Sequence, residues 1–187
     1  MEFEETTIKS EKIYQGKILN LRCDTVELPG KKYSKRELVE VSPAAAVVPV
    51  TQDGNVILVK QFRKPFERVL LEVPAGKLDP GEEPREAAFR ELEEETGKRA
   101  GKLVYLNEIF TSPGYINEKI HLFLATELED GEYKPDDDEI MEVVLYNFDE
   151  LKKMITRGEL SDAKSIIAIT MAIDYLKEKN LLKGEKK

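Results

Sequence analysis

The sequence predicts a layered domain of the α+β or α/β class, because segments with strand character alternate with segments of helical character. Three features support this class: an N-terminus of extended segments, a short carboxylate-rich helix in mid-chain, and two amphipathic helices after the last strands. A chain of 187 residues is long enough for one domain with an appended piece, and it can bury a sizeable core.

The N-terminal segment, residues 1–41, is expected to form a separate antiparallel β subdomain. Its turn residues separate three extended segments, Phe3 to Tyr14, Lys17 to Leu28 and Tyr33 to Val41. Three strands without a helix of their own form a thin layer, which needs another surface to pack against. We therefore expect residues 1–41 to make a dimer contact, and residues 42–187 to form the main domain.

The main domain begins with a buried sheet. Ala44 to Thr51 is nearly continuous apolar sequence, as expected of a strand covered on both faces. Gln52 to Asn55 predicts a hairpin turn, and Val56 to Phe62 returns as the partner strand. The remaining strands are predicted at Val69 to Val73, Lys102 to Phe110, Lys119 to Thr126 and Met141 to Asn147.

Two helices are predicted near the C-terminus, after a polar stretch from Leu128 to Ile140 that is expected to be a mobile acidic loop. Asp149 is the expected N-cap of the first helix, which Gly158 ends. Ser161 or Asp162 is the expected N-cap of a longer helix, whose apolar residues recur at helical spacing and indicate packing rather than catalysis.

The composition excludes several classes of partner. The net charge is −8, and no basic stripe is available for the phosphates of a nucleic acid. No window approaches the apolar run that spans a bilayer, and the acidic N-terminus does not resemble a secretion signal. The single cysteine, Cys23, cannot form an internal disulfide. We therefore expect a cytoplasmic protein without nucleic-acid or membrane partners.

The stretch from Gly76 to Lys98 organises the chain. It reads GKLDPGEEPREAAFRELEEETGK, which is a Gly/Pro/Asp turn followed by a short helix. Pro84 suits the first helical turn, where its missing N–H is not needed, and Gly97 is placed to end the helix.

Three carboxylates share one face of this helix, because Glu91, Glu94 and Glu95 stand at i, i+3 and i+4. A solvated acidic face is the ordinary explanation of such a pattern. It explains less here, because the same helix carries apolar residues that need burial, namely Ala87, Ala88, Phe89 and Leu92. Carboxylates beside a buried surface are typical ligands of hard divalent cations.

The wider spacing resembles the Nudix box, the signature of the Nudix hydrolase superfamily. Gly76 is followed after five residues by Glu82, and after seven more by the run Arg90–Gly97. Each defining position matches except the last, where Lys98 replaces the usual aliphatic residue. The resemblance covers roughly Ser42 to Lys179. It implies an α+β Nudix fold, with a mixed β-sheet sandwiched between helices.

The resemblance also implies a metal site. In that family the box forms a loop–helix–loop whose glutamates hold Mg²⁺ or Mn²⁺ on a pyrophosphate, and two or more ions are expected. By position, metal binding falls to the backbone carbonyl of Ala75 and to Glu91, Glu94 and Glu95, of which Glu94 is also a catalytic residue. Arg90 and Glu82 would form an internal ion pair that fixes the loop against the helix.

A narrower resemblance is to the ADP-ribose pyrophosphatase branch of the superfamily. It is carried by Gln61-Phe62-Arg63, by the block Leu71–Asp79, and by Pro113, which lies fifteen residues past the end of the box. By this resemblance Arg36 and Arg63 would hold the substrate's phosphates. Pro113 and Gly114 would contribute to substrate binding.

The acidic loop and the N-terminal strands also have counterparts in that branch. Asp137 and Glu139 would act as general base and as a late metal ligand, whereas the alternative is that Asp136 to Glu139 is a solvated charge run. The N-terminal strands resemble the domain through which these enzymes form intertwined homodimers.

The resemblance therefore implies metal-dependent hydrolysis of ADP-ribose to AMP and ribose 5-phosphate. One alternative is hydrolysis of another nucleoside diphosphate derivative, such as a nucleotide sugar, a dinucleoside polyphosphate or an oxidised nucleotide. A second is a non-catalytic module that senses ADP-ribose, and a third is a structural protein with an acidic surface helix. The box recognises the pyrophosphate and not the groups attached to it. It therefore does not distinguish ADP-ribose from the other proposed substrates.

Overall fold

The computed structural model describes residues 3–135 and 139–181 of the chain. The chain divides into two compact units. Unit 1 consists of Met1–Pro43 and Phe110–Lys119, and unit 2 consists of Ala44–Ile109 and Ile120–Lys187.

Unit 1 is built on an antiparallel sheet in the order β1-β2-β3, with β1 at Thr6–Gln15, β2 at Leu19–Leu28 and β3 at Lys32–Val41. All ten residues of β1 are exposed. Among the described residues of this unit, Asp24 and Val26 are the only buried ones. A sheet with so small an interior has little apolar burial to stabilise it.

The segment Phe110–Lys119 is attached to β3 within unit 1. The N–H of Val39 donates to the carbonyl of Tyr115 (2.7 Å), and the N–H of Asn117 donates to the carbonyl of Val39 (3.2 Å). The Asn117 side chain also accepts from the N–H of Val41 (2.9 Å). The sequence predicted only a connection between two strands here, whereas the segment adds to the N-terminal unit.

Unit 2 contains two further sheets. The first is antiparallel in the order β10-β5-β6, with β5 at Asn55–Arg63, β6 at Arg68–Glu72 and β10 at Met141–Asn147. A short 3₁₀ turn, Lys64–Phe66, joins β5 to β6. The second has the order β7-β4-β9-β8, with β4 at Ala44–Pro49, β7 at Ala75–Lys77, β8 at Lys98–Phe110 and β9 at Lys119–Asp130. It is mixed, because β4 runs parallel to β9 and antiparallel to β7.

Helices cover both faces of this mixed sheet. On one face α1 (Pro84–Thr96) packs over alternate residues of β4 and β9, including Ala45, Val47 and Phe123. The other face packs against α2 (Phe148–Arg157), α3 (Ala163–Glu178) and β5. Every residue of β4 is buried, as its apolar run predicts. The predicted α+β fold, with a mixed sheet between helices, is confirmed.

None of the helices in residues 3–135 and 139–181 combines the length and the apolar character that a bilayer-spanning helix requires.

The helix caps resolve one ambiguity and correct one prediction. Asp162 caps α3, because its side chain accepts from the N–H of Ser165 (3.0 Å). Asn147 caps α2, so the prediction of Asp149 was wrong. The physical reason is a reciprocal capping box, in which Asn147 accepts from the N–H of Glu150 and Glu150 accepts from the N–H of Asn147. Asp149 instead lies in the first helical turn.

A single hydroxyl fastens α3 to the end of β6. Ser165 is fully buried, and its Oγ accepts a hydrogen bond from the N–H of Val73 (2.8 Å). Val73 lies directly before Pro74-Ala75, where the predicted box begins. The contact therefore connects the start of the box to the helix that packs beneath the sheet.

Replacing Ser165 by alanine is expected to lower the free energy of unfolding by about 1–3 kcal/mol, because the buried N–H of Val73 would lose its acceptor. Chemical denaturation of both proteins measures this. Thr170→Ala on the exposed side of the same helix is the matched control, with an expected change within about 0.5 kcal/mol. Equal effects of the two substitutions would contradict the structural role of the Ser165 hydroxyl.

Candidate active site

The loop before α1 is shaped by a tight turn. The carbonyl of Asp79 accepts from the N–H of Glu82 (3.0 Å), with Pro80 and Gly81 between them. Gly81 has a φ of +84°, which glycine adopts without strain and which a turn of this type requires at its third position. The Glu82 carboxylate closes the loop further by accepting from the N–H of Asp79 (2.9 Å).

Arg90 joins this loop to α1. Its Nε and Nη2 donate to the two carboxylate oxygens of Glu82, each at 2.9 Å, and Nη2 also donates to the carbonyl of Lys77 (3.1 Å). This bidentate pairing with Glu82 requires the planar guanidinium of arginine, and the ammonium of lysine cannot form it. The pKa of the Glu82 carboxyl is held below its ordinary value, chiefly by the hydrogen bonds from Arg90. The ion pair that the resemblance implied is thus present.

Arg90 also contacts the acidic face of its own helix. Its Nη1 donates to Glu91 (2.7 Å) and to Glu94 (3.0 Å). Together with the bonds to Glu82 and Lys77, all five N–H donors of the guanidinium are used. One side chain therefore orients three carboxylates that the sequence assigned to the site.

The first glycine of the box makes room for a carboxylate. Gly76 lies in β7, and a Cβ placed on it would overlap the carboxylate of Glu91. The neighbouring N–H of Ala75 donates to Glu95 (3.1 Å). The absence of a side chain at Gly76 therefore lets α1 bring its carboxylates against the backbone of β7.

Two of the box carboxylates are buried: Glu91 is 8% exposed and Glu95 is 3% exposed. Burial raises the pKa of Glu95 to about 8, with further contributions from the charges of Glu91 and Glu139. Burial also raises the pKa of Glu91 to about 7, and the charges of Glu94 and Glu139 act in the same direction against the opposing effect of Arg90. These groups therefore hold protons near neutral pH in the absence of a cation.

Glu139 lies near the box carboxylates, because its charge contributes to the raised pKa values of both Glu91 and Glu95. The role of Glu139 as a metal ligand stays a prediction. Asp137, the other predicted acid of this loop, lies outside the described residues.

The donor set fits a hard divalent cation. Buried carboxylates whose charges repel one another are stabilised when a cation enters, and carboxylate oxygens are the ligands that Mg²⁺ and Mn²⁺ prefer. Among the described residues, no three Asp, Glu, His or Cys side chains are gathered tightly enough to form a ready-made metal site. The hydrogen bonds from Arg90 account for this at Glu91 and Glu94, since both carboxylates point to the guanidinium.

Arg63, the predicted phosphate ligand, lies beside the same carboxylates. Its Nε and Nη2 donate to the two oxygens of Glu72, at 2.7 and 2.8 Å. The negative charge of Glu95 is close enough to contribute to the raised pKa of the Arg63 guanidinium, whose main cause is the pair with Glu72. The structure therefore brings Arg63 close to Glu95, although the two lie about thirty residues apart in the sequence.

The other predicted substrate-binding residues belong to unit 1. Arg36 lies in β3, where its Nε and Nη2 donate to Glu5 (2.9 and 2.6 Å) and its Nη1 donates to Ser34 (2.9 Å). Pro113 and Gly114 are exposed in the segment that is attached to β3. Their roles in substrate binding stay predictions.

Two charged residues of the site were missed from the sequence. Glu72 is 2% exposed and binds Arg63, and Lys164 in α3 binds Glu72 in turn. Glu72 could have been noticed, because it interrupts an apolar strand, Val69 to Val73, at a position where a charge needs a partner. Lys164 carried no such signal, since a single lysine in a helix is ordinarily exposed to solvent.

Mn²⁺ binding to the metal-free protein is expected to release about one to two protons at pH 6.5 and roughly none at pH 9.5, because the cation displaces protons from Glu91 and Glu95. Calorimetry in two buffers of different ionisation enthalpy measures this number. Glu95→Gln should release fewer protons than the unsubstituted protein. Identical binding enthalpies in the two buffers at pH 6.5 would contradict the protonated state of the site.

The raised pKa values of Glu91 and Glu95 also determine how the stability of the folded protein changes with pH. In the unfolded chain both carboxyls ionise near 4.5, whereas in the folded chain they ionise near 7 and 8. Their contribution to the stability of the metal-free protein is therefore complete below pH 4.5 and is lost as the pH rises to about 8. A saturating cation removes this loss by replacing the protons.

Comparison with known proteins adds independent information. Residues 41–168 match the NUDIX domain, and residues 5–39 match the nucleoside diphosphate sugar hydrolase N-terminal domain. The chain is 47% identical to ADP-ribose pyrophosphatase of Bacillus subtilis (strain 168) over 185 residues, which cover 98% of each protein. It is 41% identical to methanol dehydrogenase activator of Bacillus methanolicus over 183 residues, which cover 97% of each.

A solved structure has the same fold. The crystal structure of an ADP compounds hydrolase superposes with a TM-score of 0.87, covers 95% of this chain and 97% of its own, and shares 23% identity. The NUDIX match begins just before β4, includes the whole box, and ends within α3. That match spans more than half of the 187 residues, and it contains α1 together with Arg90. The chain therefore belongs to the Nudix family.

Proposed function

We propose that the protein hydrolyses the pyrophosphate bond of ADP-ribose, adding one water to give AMP and ribose 5-phosphate. The observation that carries this proposal is the similarity to an ADP-ribose pyrophosphatase over nearly the whole length of both chains. The site supports it chemically, because buried carboxylates and an arginine lie side by side where a charged pyrophosphate needs both cations and donors.

The metal ions are proposed to be Mg²⁺ or Mn²⁺, held by Glu91, Glu94, Glu95 and the carbonyl of Ala75, with Glu139 as a later ligand. Bound divalent ions neutralise the pyrophosphate oxygens and lower the pKa of water, so that the attacking group forms at neutral pH. The protein's own part is to fix the carboxylates through Arg90 and to hold a phosphate through Arg63.

The general base is assigned to an acid of the loop that contains Glu139. This carboxylate lies near Glu91 and Glu95, as its effect on their pKa values requires. Glu94 is proposed as a second acid of the catalytic set by its position in the box. Its side chain is 38% exposed, which leaves it accessible from solvent.

Hydrolysis of a nucleoside diphosphate sugar is the second candidate. It is favoured by one observation, the match of residues 5–39 to the nucleoside diphosphate sugar hydrolase N-terminal domain. The chemistry at the box is the same for both substrates, since each contains a pyrophosphate. The name of the methanol dehydrogenase activator specifies an effect on another enzyme and does not discriminate between substrates.

A homodimer formed through unit 1 is a further part of the proposal. Unit 1 exposes large apolar side chains on and around its sheet: Ile8, Ile13, Tyr14, Ile18 and Tyr33 are each more than half exposed. A second copy that covers these side chains would supply the interior that the sheet lacks. Light scattering should give twice the monomer mass, whereas the mass of a single 21.3 kDa chain would exclude a homodimer.

A reducing compartment is proposed from the cysteine content. Cys23 is the single cysteine of the chain, and its thiol is free. An enzyme of this composition needs no oxidising environment for its fold.

A substrate panel tests the assignment. ADP-ribose, a nucleotide sugar, a dinucleoside polyphosphate and a nucleoside triphosphate are incubated with Mg²⁺ or Mn²⁺, and the products are separated by chromatography. ADP-ribose is expected to give the highest kcat/KM, and EDTA should abolish turnover. Glu95→Gln should reduce kcat by about two orders of magnitude or more with the fold retained, because it removes a metal ligand.

Preference for a nucleotide sugar would replace the first candidate by the second. Near-normal activity of Glu95→Gln would overturn the assignment of the metal site itself.

A further inference from the structure

A buried ionic network lies beside Arg63 and is not used by the proposed chemistry of the box. Its centre is Glu72, at the end of β6, with a side chain 2% exposed. Glu72 accepts two hydrogen bonds from Arg63 and a third from Nζ of Lys164. Nζ of Lys164 also donates to Asp162, the N-cap of α3, at 3.0 Å. One carboxylate therefore serves two cations from two different elements.

The burial of Glu72 makes its cations necessary. Removing a carboxylate from water is unfavourable unless the group is paired and hydrogen-bonded. Burial alone would raise the pKa of Glu72, but the bonds from Arg63 and the charge of Lys164 outweigh burial and hold the pKa below its ordinary value. Glu72 therefore stays ionised, and it needs positive charge whether or not substrate is bound.

Arg63 has further N–H donors that can bind a substrate. Its side chain is 37% exposed, and Glu72 occupies Nε and Nη2. Within the described residues, Nη1 of Arg63 makes no hydrogen bond to the protein, so this edge of the guanidinium can face a phosphate.

Lys164 is placed to serve Glu72 rather than the substrate. Its side chain is only 13% exposed, and its ammonium is engaged by Glu72 and Asp162. If Lys164 carried no charge, Arg63 would be the sole cationic partner of a buried carboxylate. A phosphate would then have to compete with Glu72 for the same guanidinium.

The charge balance leads to the same conclusion. Arg63 and Lys164 carry two positive charges, and Glu72 and Asp162 carry two negative charges, so the four side chains cancel. Loss of the lysine charge would leave the four-residue network with one net negative charge and with Arg63 as its remaining cation.

We propose that Lys164 is a positioning residue, which acts through Glu72 to keep Arg63 available to the substrate's phosphates. Lys164 supplies the second positive charge that Glu72 requires, and Glu72 in turn holds the guanidinium in one orientation. The proposal rests on the substrate-binding role proposed for Arg63, and the experiment below separates the two.

Lys164→Met removes the charge and keeps the length of the side chain. Steady-state kinetics on the best substrate of the panel, expected to be ADP-ribose, should show KM raised about tenfold and kcat changed less than about threefold. Lys152→Met on α2 is the matched control, because Lys152 also pairs with a carboxylate on its helix, Asp149. Its KM and kcat should equal those of the unsubstituted enzyme. Lys164→Arg, which retains the charge, should keep KM within about threefold.

A double-mutant cycle tests whether Lys164 acts through Arg63. Arg63→Ala alone should raise KM roughly 10- to 100-fold. In the Arg63→Ala background, Lys164→Met should change KM by less than about twofold, because the residue through which it acts is gone. A melting temperature is recorded for each variant, and Lys164→Gln, which also lacks the charge, replaces Lys164→Met if the latter does not fold.

Unchanged KM in Lys164→Met or Lys164→Gln overturns the inference, and so does a full tenfold effect that persists in the Arg63→Ala background. Unchanged KM in Arg63→Ala overturns the substrate-binding role of Arg63 and the inference with it. A raised KM in Arg63→Ala combined with an unchanged KM in the Lys164 variants leaves the proposed site intact and removes Lys164 from it.

Discussion

The site depends on the hydrogen bonds that the guanidinium of Arg90 donates. Its five N–H donors bind the carbonyl of Lys77 and the carboxylates of Glu82, Glu91 and Glu94. The loop before α1 and the acidic face of α1 are thereby fastened at one point. Like charges on one helix face repel one another, and a central cation offsets that repulsion. The arginine thus lets the helix carry carboxylates that a divalent ion can later use.

Burial determines what those carboxylates do. Glu91 and Glu95 face the backbone of β7, where Gly76 leaves space for one and the N–H of Ala75 binds the other. Their pKa values are raised because a negative charge is unfavourable in this buried environment. A divalent cation relieves that cost, so metal binding and proton release are coupled. A second buried carboxylate, Glu72, has the cations Arg63 and Lys164 instead and stays ionised.

Local patterns in the sequence predicted most of the fold and the core of the site. The apolar run of β4, the turn residues around Gly54 and the box spacing each depend on neighbouring residues, and the structure confirms the fold they indicate. The missed features depend on distant contacts. Lys164 meets Glu72 across 92 residues, and the segment around Tyr115 joins β3 across more than 70. The cap of α2 was missed because Asn147 and Asp149 are both good capping residues, and only the backbone decides between them.

The central claim is that this constellation hydrolyses a pyrophosphate bond in ADP-ribose by attack of water. Turnover in ¹⁸O-labelled water with Mg²⁺, followed by mass spectrometry, tests it most directly. The account predicts AMP and ribose 5-phosphate in equal amounts, with one labelled oxygen in the phosphate of one product from each cleavage. Formation of ADP and free ribose, or products without label, would contradict it.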